Sequence, residues 1–209
     1  MIATRSNYSS ARGFALAGRL LFVLAALAVT GCGGGGPAFR ATDISGTTEW
    51  GRDFALPDAK GQLRRLADFR GKAVVLFFGY TQCPDVCPTT LSSMAEVVKI
   101  LGSDGAKLQV VFVTLDPERD TPALIAEYMA QFNPGFLGLR GDRAATEAAA
   151  KEFKVFYTKQ AAGTSGGYTL DHTAGSYVFD PHGRLRLYVR HGAPAADIAA
   201  DLKLLLAGK

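Results

Sequence analysis

Residues 73–88 read AVVLFFGYTQCPDVCP. From Ala73 to Tyr80 the run is apolar throughout and rich in β-branched and aromatic side chains. Such a run predicts a strand buried on both faces. Beyond it, Pro88 to Leu101 carries Leu91, Met94, Val97, Val98 and Leu101 at helical spacing. Proline suits the first turn of a helix. Cys83 and Cys87 therefore fall between a buried strand and a helix amino-terminus.

Working outward, Phe54–Leu56 and Gln62–Leu66 flank the turn residues Pro57–Gly61 and predict a β-hairpin. Gln109–Leu115 (QVVFVTL) is a second buried strand. Asp116–Pro122 turns, and Thr121-Pro122 can cap and start a helix running to about Phe132. Ala144–Phe153 reads as another short helix. Tyr168–Asp180 and Leu185–Arg190 read as strands around the turn Asp180–Gly183, and Pro194–Leu206 as a final helix. The two buried strands joined by a helix should be parallel, and the last two, joined by a short turn, antiparallel. The expected fold class is α/β: a thioredoxin-like central mixed sheet flanked by helices, with an N-terminal β-hairpin.

The amino-terminal segment has a different character. Residues 1–31 contain Arg5, Arg12 and Arg19 but no acid, and Leu20–Thr30 is an uncharged run of eleven residues. A bilayer-spanning helix needs ~20 apolar residues, so this run fits the apolar region of a secretory signal. Val29-Thr30-Gly31-Cys32 resembles a bacterial lipobox, which implies lipidation of Cys32 and cleavage before it. A plain signal peptide or a short membrane anchor is the other reading. The expected organisation is a signal peptide over 1–31, a Gly-rich flexible tether over 32–48 and one domain over 49–209. All readings place that domain outside the cytoplasm.

Removing the three arginines of the signal from the net charge of +4 leaves +1. The basic balance thus belongs to targeting, and no Lys/Arg cluster with interleaved aromatics points to nucleic acid. The 209 residues, 48% hydrophobic and 20% charged, are enough for one domain with a proper core. Of three cysteines, lipid would take Cys32, leaving Cys83 and Cys87 as a pair.

At a helix amino-terminus, a thiolate is stabilised by the helix dipole and free N–H groups. The spacing lets the two sulfurs close a disulfide or grip one soft metal. An inert disulfide is the competing reading, but a bridge across so short a loop constrains the unfolded chain little. His172, at the start of a late strand, should approach the pair. A thioredoxin-type redox enzyme usually has proline there, and none occurs between Phe136 and Asp180. His182 and His191 read as surface residues. Two thiolates and an imidazole suit copper. Structural zinc would want a fourth side chain, for which Asp85 and Asp171 are the neighbours available.

Three blocks carry a family resemblance: Phe77–Pro88, Asp116–Pro122 (DPERDTP) and Asp171-His172-Thr173. In this order they resemble the Sco/SenC family, thioredoxin-like extracytoplasmic proteins that assemble cytochrome c oxidase; the likeness covers about Trp50 to Leu206. The resemblance implies one copper, Cu(I) or Cu(II), bound by Cys83, Cys87 and His172. It also implies delivery of copper to the binuclear copper site of the oxidase, or reduction of that site. Asp171 would orient the His172 loop and Pro84 stiffen the loop between the thiols. Expected partners are the oxidase copper-site subunit, other copper chaperones or thiol reductases, and the membrane through the lipid anchor. Asp116–Pro122 reads as a cap and turn in preference to a docking surface.

Alternative functions use the same residues. A thiol–disulfide reductase would employ Cys83 and Cys87 as a redox-active pair without metal. A peroxidase is the next reading, because Val86–Thr89 looks like a peroxiredoxin segment; Pro84, however, stands where those proteins carry threonine.

Overall fold

The computed structural model describes residues 38–161 and 167–209. The signal segment, Cys32 and the start of the tether lie outside the described residues. Among the described residues, no helix is long and apolar enough to cross a membrane.

The run read first is strand β4 (Ala73–Gly79), and every residue of it is buried. It pairs in parallel with β5 (Leu108–Thr114), from Ala73↔Leu108 to Gly79↔Thr114. The connection between them holds helix α1 (Val86–Leu101) and a short 3-10 segment, Gly102–Lys107. β5 pairs in parallel with β6 (Leu137–Leu139), through α2 (Pro122–Phe132). On its other side β4 meets β9 (Ser176–Phe179) in antiparallel register, and β9 meets β10 (Leu185–Val189). A two-residue edge strand, β1 (Thr42–Asp43), completes a six-stranded mixed sheet of order β1-β10-β9-β4-β5-β6. This is the expected thioredoxin-like α/β arrangement.

Side chains of a strand alternate between faces, and both faces of β4 are covered. Phe77 packs on Phe112 at 5.9 Å between centroids. Phe78 faces the opposite way, onto Phe153 at 5.4 Å and Tyr177 at 6.4 Å. Phe153 directly follows α3 (Arg143–Glu152). Burial of each such ring contributes about 1.5–3 kcal/mol, which favours the central place β4 takes in the sheet. α1 packs against α4 (Ala195–Leu206). The N-terminal hairpin is present but minimal: β2 (Leu56–Pro57) and β3 (Leu63–Arg64), closed by the buried Asp58 carboxylate on the Lys60 and Gln62 N–H groups.

Two expectations need correction. Tyr168–Asp180 is not one strand. It divides into β8 (Tyr168–His172) and β9, and β8 pairs with β7 (Tyr157–Ala161), a strand the sequence reading did not place. Between the two strands, Gly175 lies against the Tyr188 ring so closely that a Cβ there would come within 2.1 Å of it.

The tether also ends earlier than residue 49. The Arg40 and Ala41 N–H groups donate to the buried Asp201 carboxylate of α4, and Thr42 and Asp43 pair with Tyr188 and Leu187. Phe39–Lys209 therefore forms the folded unit. Gly/Thr/Ser-rich composition says nothing about a hydrogen-bonding partner at the far end of the chain.

Candidate metal centre

β4 ends at Gly79, and the chain then turns through Tyr80–Asp85 into α1. The turn is held from below by Asp120, a fully buried residue. Its carboxylate accepts from the Thr81 N–H at 3.0 Å, the Thr81 hydroxyl at 2.5 Å and the Thr114 hydroxyl at 2.5 Å. Burying a carboxylate is costly unless it is hydrogen-bonded, so these three donors fix the loop to the sheet.

Asp85 precedes α1, yet its side chain gives the helix no cap bond. Cys83 takes that role: its Sγ accepts from the Cys87 N–H at 3.4 Å. The sulfur thus sits where the helix leaves N–H groups unpaired and its dipole is positive. Cys87 lies in the first turn, fully buried. Its Sγ lies over Gly79, where a Cβ would meet it at 2.7 Å. Only glycine fits at that position.

His172 ends β8, opposite Tyr157 across the hairpin. Its Nδ1 lies 3.0 Å from the Thr173 carbonyl, a geometry that assigns the proton to Nδ1. Nε2 is the nitrogen turned toward the sulfurs, 3.5 Å from Cys87 Sγ. The ring is wedged edge-on between Phe77 and Tyr80. The ligand atoms of Cys83, Cys87 and His172 all lie within 4.8 Å of one another, the one metal-capable cluster of His, Cys, Asp and Glu among the described residues.

The two thiols are electrostatically unlike. Hydrogen bonding from Cys87 holds Cys83 well below the usual thiol range, against the effect of its partial burial, and His172 adds to the lowering. The same bond, together with burial, pushes Cys87 up. Both cysteines are free thiols. The arrangement is a half-buried thiolate beside a buried thiol. Cys87 is fully buried, whereas a cysteine oxidised by peroxide is solvent-accessible.

The expected site residues Cys83, Cys87 and His172 are therefore brought together. Asp85 and Asp171 are not: both are exposed and outside the cluster. Asp171 does not orient His172 either, since its side chain lies on the other face of β8 and the Thr173 carbonyl holds the ring. His182 and His191 are exposed, His191 beside the Thr90 hydroxyl at 3.1 Å.

Asp116–Pro122 caps α2 as expected, with the Thr121 hydroxyl accepting from the Leu124 N–H. Beyond capping, it supplies Asp120 under the cysteine loop and Arg119 beside it, roles the sequence reading missed. A signal was available: charged residues directly after a buried parallel strand stand at the carboxyl edge of the sheet, where open α/β sheets build their sites.

A family model described as SCO1/SenC matches residues 42–207. The chain belongs to the SCO1/SenC family. Among curated relatives, an SCO2-like protein of Rickettsia felis is 37% identical over 142 residues, covering 68% of each chain. Among solved structures, copper-bound ScoI of Bradyrhizobium japonicum is 38% identical with a TM-score of 0.68, covering 76% of this chain and 99% of that one. Apo Sco1 of Thermus thermophilus is 39% identical with a TM-score of 0.71, over 82% and 99%. All three SCO1/SenC blocks quoted above lie inside the matched range, and the structure packs them around one point.

Proposed function

We propose that this chain is an extracytoplasmic copper chaperone for assembly of the binuclear copper site of cytochrome c oxidase. It holds one copper through Cys83, Cys87 and His172. The carrying observation is the convergence of two sulfurs and one imidazole nitrogen within 4.8 Å. Soft thiolates favour Cu(I) and imidazole also accepts copper, whereas structural zinc sites use four protein ligands. Copper is bound in the related Bradyrhizobium ScoI. Oxidase assembly is the role named for the Sco family.

The residues divide the work. Cys83, half-buried and held as a thiolate, is the sulfur a partner reaches first. Cys87 loses its proton on taking metal, and Gly79 leaves room for its sulfur. His172 presents Nε2 because Nδ1 donates to Thr173. A three-donor site leaves the cargo open to a ligand from the receiving protein, so handover proceeds by exchange of donors. The partner in this reading is the oxidase copper-site subunit, with other copper chaperones or thiol reductases before it.

The amino-terminal 31 residues act as a lipoprotein-type signal, and Cys32 carries the lipid that anchors the domain on the outer side of the membrane. Labelling with a radioactive fatty acid should mark the chain in a bacterial host, and Cys32→Ser should remove the label.

The asymmetry of the thiols favours a second activity of the same pair. Cys83 thiolate would attack a partner disulfide. Cys87 would then give up its proton and displace the partner as a dithiol, leaving Cys83–Cys87 oxidised.

Copper titration of the reduced protein tests the main reading, followed by absorption and EPR spectroscopy. One copper per chain is expected, with thiolate-to-copper charge transfer lost in Cys83→Ser. Absence of tight binding by the reduced, folded protein would leave the thiol–disulfide reading.

A further inference from the structure

The three donors are carried by two differently supported segments. Cys83 and Cys87 stand on the central sheet and α1. His172 stands on the β7–β8 hairpin, a separate two-stranded sheet. An isolated hairpin is marginally stable in water, and Leu170 is the one buried side chain of β7–β8, so further contacts must hold this one in place.

Arg119 touches both segments. Its Nη1 donates to Gln82 Oε1, next to Cys83, at 3.1 Å and to the Tyr168 carbonyl at 2.8 Å. Tyr168 is at the opposite end of β8 from His172 and, by the alternation of a strand, on the same face. The guanidinium lies over the Tyr168 ring at 3.6 Å and near the Tyr80 ring at 5.8 Å, and Tyr80 packs on His172. Its Nε is ion-paired with Asp116, whose other oxygen accepts from the Tyr168 hydroxyl at 2.8 Å. On the far side, Lys159 lies 4.4 Å from the same ring and pairs with Glu118 at 2.7 Å. Tyr168 is thus gripped at its ring, its hydroxyl and its carbonyl, from one short loop. Guanidinium stays charged in proteins, and its planar fork makes several directed bonds at once.

We propose that Arg119 is a positioning residue: it latches the His172 hairpin to the cysteine loop, and so sets the preference of the site between Cu(II) and Cu(I). The copper half of this statement rests on the function proposed above; the latch does not. Thiolates alone satisfy Cu(I), while Cu(II) depends on the nitrogen donor. Loosening the hairpin therefore withdraws His172 and penalises Cu(II) selectively. Residues that orient a ligand typically cost ten- to a hundredfold in affinity when removed, so about tenfold or more is expected for Cu(II).

The test uses the reduced full chain in detergent, with Cys32→Ser so that only the pair reacts, and adds Arg119→Ala or Tyr168→Phe. Hydrogen exchange of the metal-free protein is read across β8 and across β4. Cu(I) and Cu(II) affinities and the Cu(II) EPR spectrum are read separately. In Arg119→Ala, faster exchange confined to β7–β8, weakened Cu(II) binding with an altered spectrum, and unchanged Cu(I) binding are expected. Tyr168→Phe keeps the stacked ring and the carbonyl contact and should fall between parent and Arg119→Ala. Unchanged exchange in β8 would overturn the latch. So would exchange quickened equally in β4 with both copper states lost, because Arg119 would then be a general folding residue. Were the parent to bind no copper, the function proposed above would fall and the exchange data would still decide the latch.

Discussion

The cysteine loop and the histidine hairpin meet at one point, yet the fold treats them differently. The loop hangs from two parallel strands at the centre of the core and is fastened by a buried carboxylate, Asp120. The hairpin lies outside the six-stranded sheet; Leu170 is its one core side chain, and its Tyr168 end is fastened by the part-buried Arg119 and the buried Asp116 carboxylate. The difference teaches that the sulfurs are a permanent feature of the core, while the imidazole is an attachment whose position can be tuned. For a carrier this division is useful: a metal kept by two fixed sulfurs and one adjustable nitrogen can be released stepwise.

The largest effect should come from the sulfurs. Cys83→Ser or Cys87→Ser is expected to abolish tight copper binding in equilibrium titration of the reduced protein. Retained tight binding by either would mean that the fixed half of the site is not its foundation.

Next is the support of the loop. Asp120→Ala leaves the Thr81 N–H and two hydroxyls without their acceptor, which should cost about 3 kcal/mol of stability in urea denaturation. It should also weaken copper binding. A cost below about 1 kcal/mol would show that the loop is held by packing instead.

The hairpin side should behave in the opposite way. His172→Ala is expected to weaken Cu(II) binding and to change the Cu(II) spectrum. Its stability cost should stay within about 1 kcal/mol, since the ring is half-buried and its hydrogen bonds reach only the adjacent Thr173 carbonyl and, at 3.5 Å, Cys87 Sγ. Full Cu(II) affinity in this variant would remove His172 from the site.

The smallest effect concerns protons. Cys83 is held below the usual thiol range, so its thiolate persists as pH falls and is lost only on passing the lowered pKa. Alkylation of the reduced, metal-free protein should therefore be level at neutral pH, where an ordinary thiol of pKa ~8.5 is still gaining reactivity. Cys87, pushed up and buried, should label slowly throughout. Mass spectrometry of the labelled peptides distinguishes the two. Equal profiles would remove the asymmetry on which the thiol–disulfide activity rests.

Much of this was legible without coordinates. Ala73–Tyr80 and Gln109–Leu115 read as buried strands, because short apolar runs rich in β-branched and aromatic side chains favour a strand covered on both faces. Leu91, Met94, Val97 and Leu101 mark the face that α1 buries. Cys83 and Cys87 declared themselves by standing between that strand and that helix, and His172 by its place after the last crossover. These are local signals, written in spacing and side-chain type over a few consecutive residues.

What the sequence left open depends on contacts between distant segments. Tyr157–Ala161 is mostly exposed and carries no alternating pattern, so β7 exists only through its pairing with β8. Arg40–Asp43 looks like linker until the Asp201 carboxylate receives its N–H groups. Asp116–Pro122 reads as a cap until folding places Asp120 beneath Thr81 and Arg119 against Tyr168. Asp171 stands beside His172 in the chain but faces away, whereas Arg119 is remote in the chain and in contact with the strand. Residue types and strand periods are set locally; which buried carboxylate meets which N–H is set by how the sheet is assembled, and only assembly brings such partners within hydrogen-bond range.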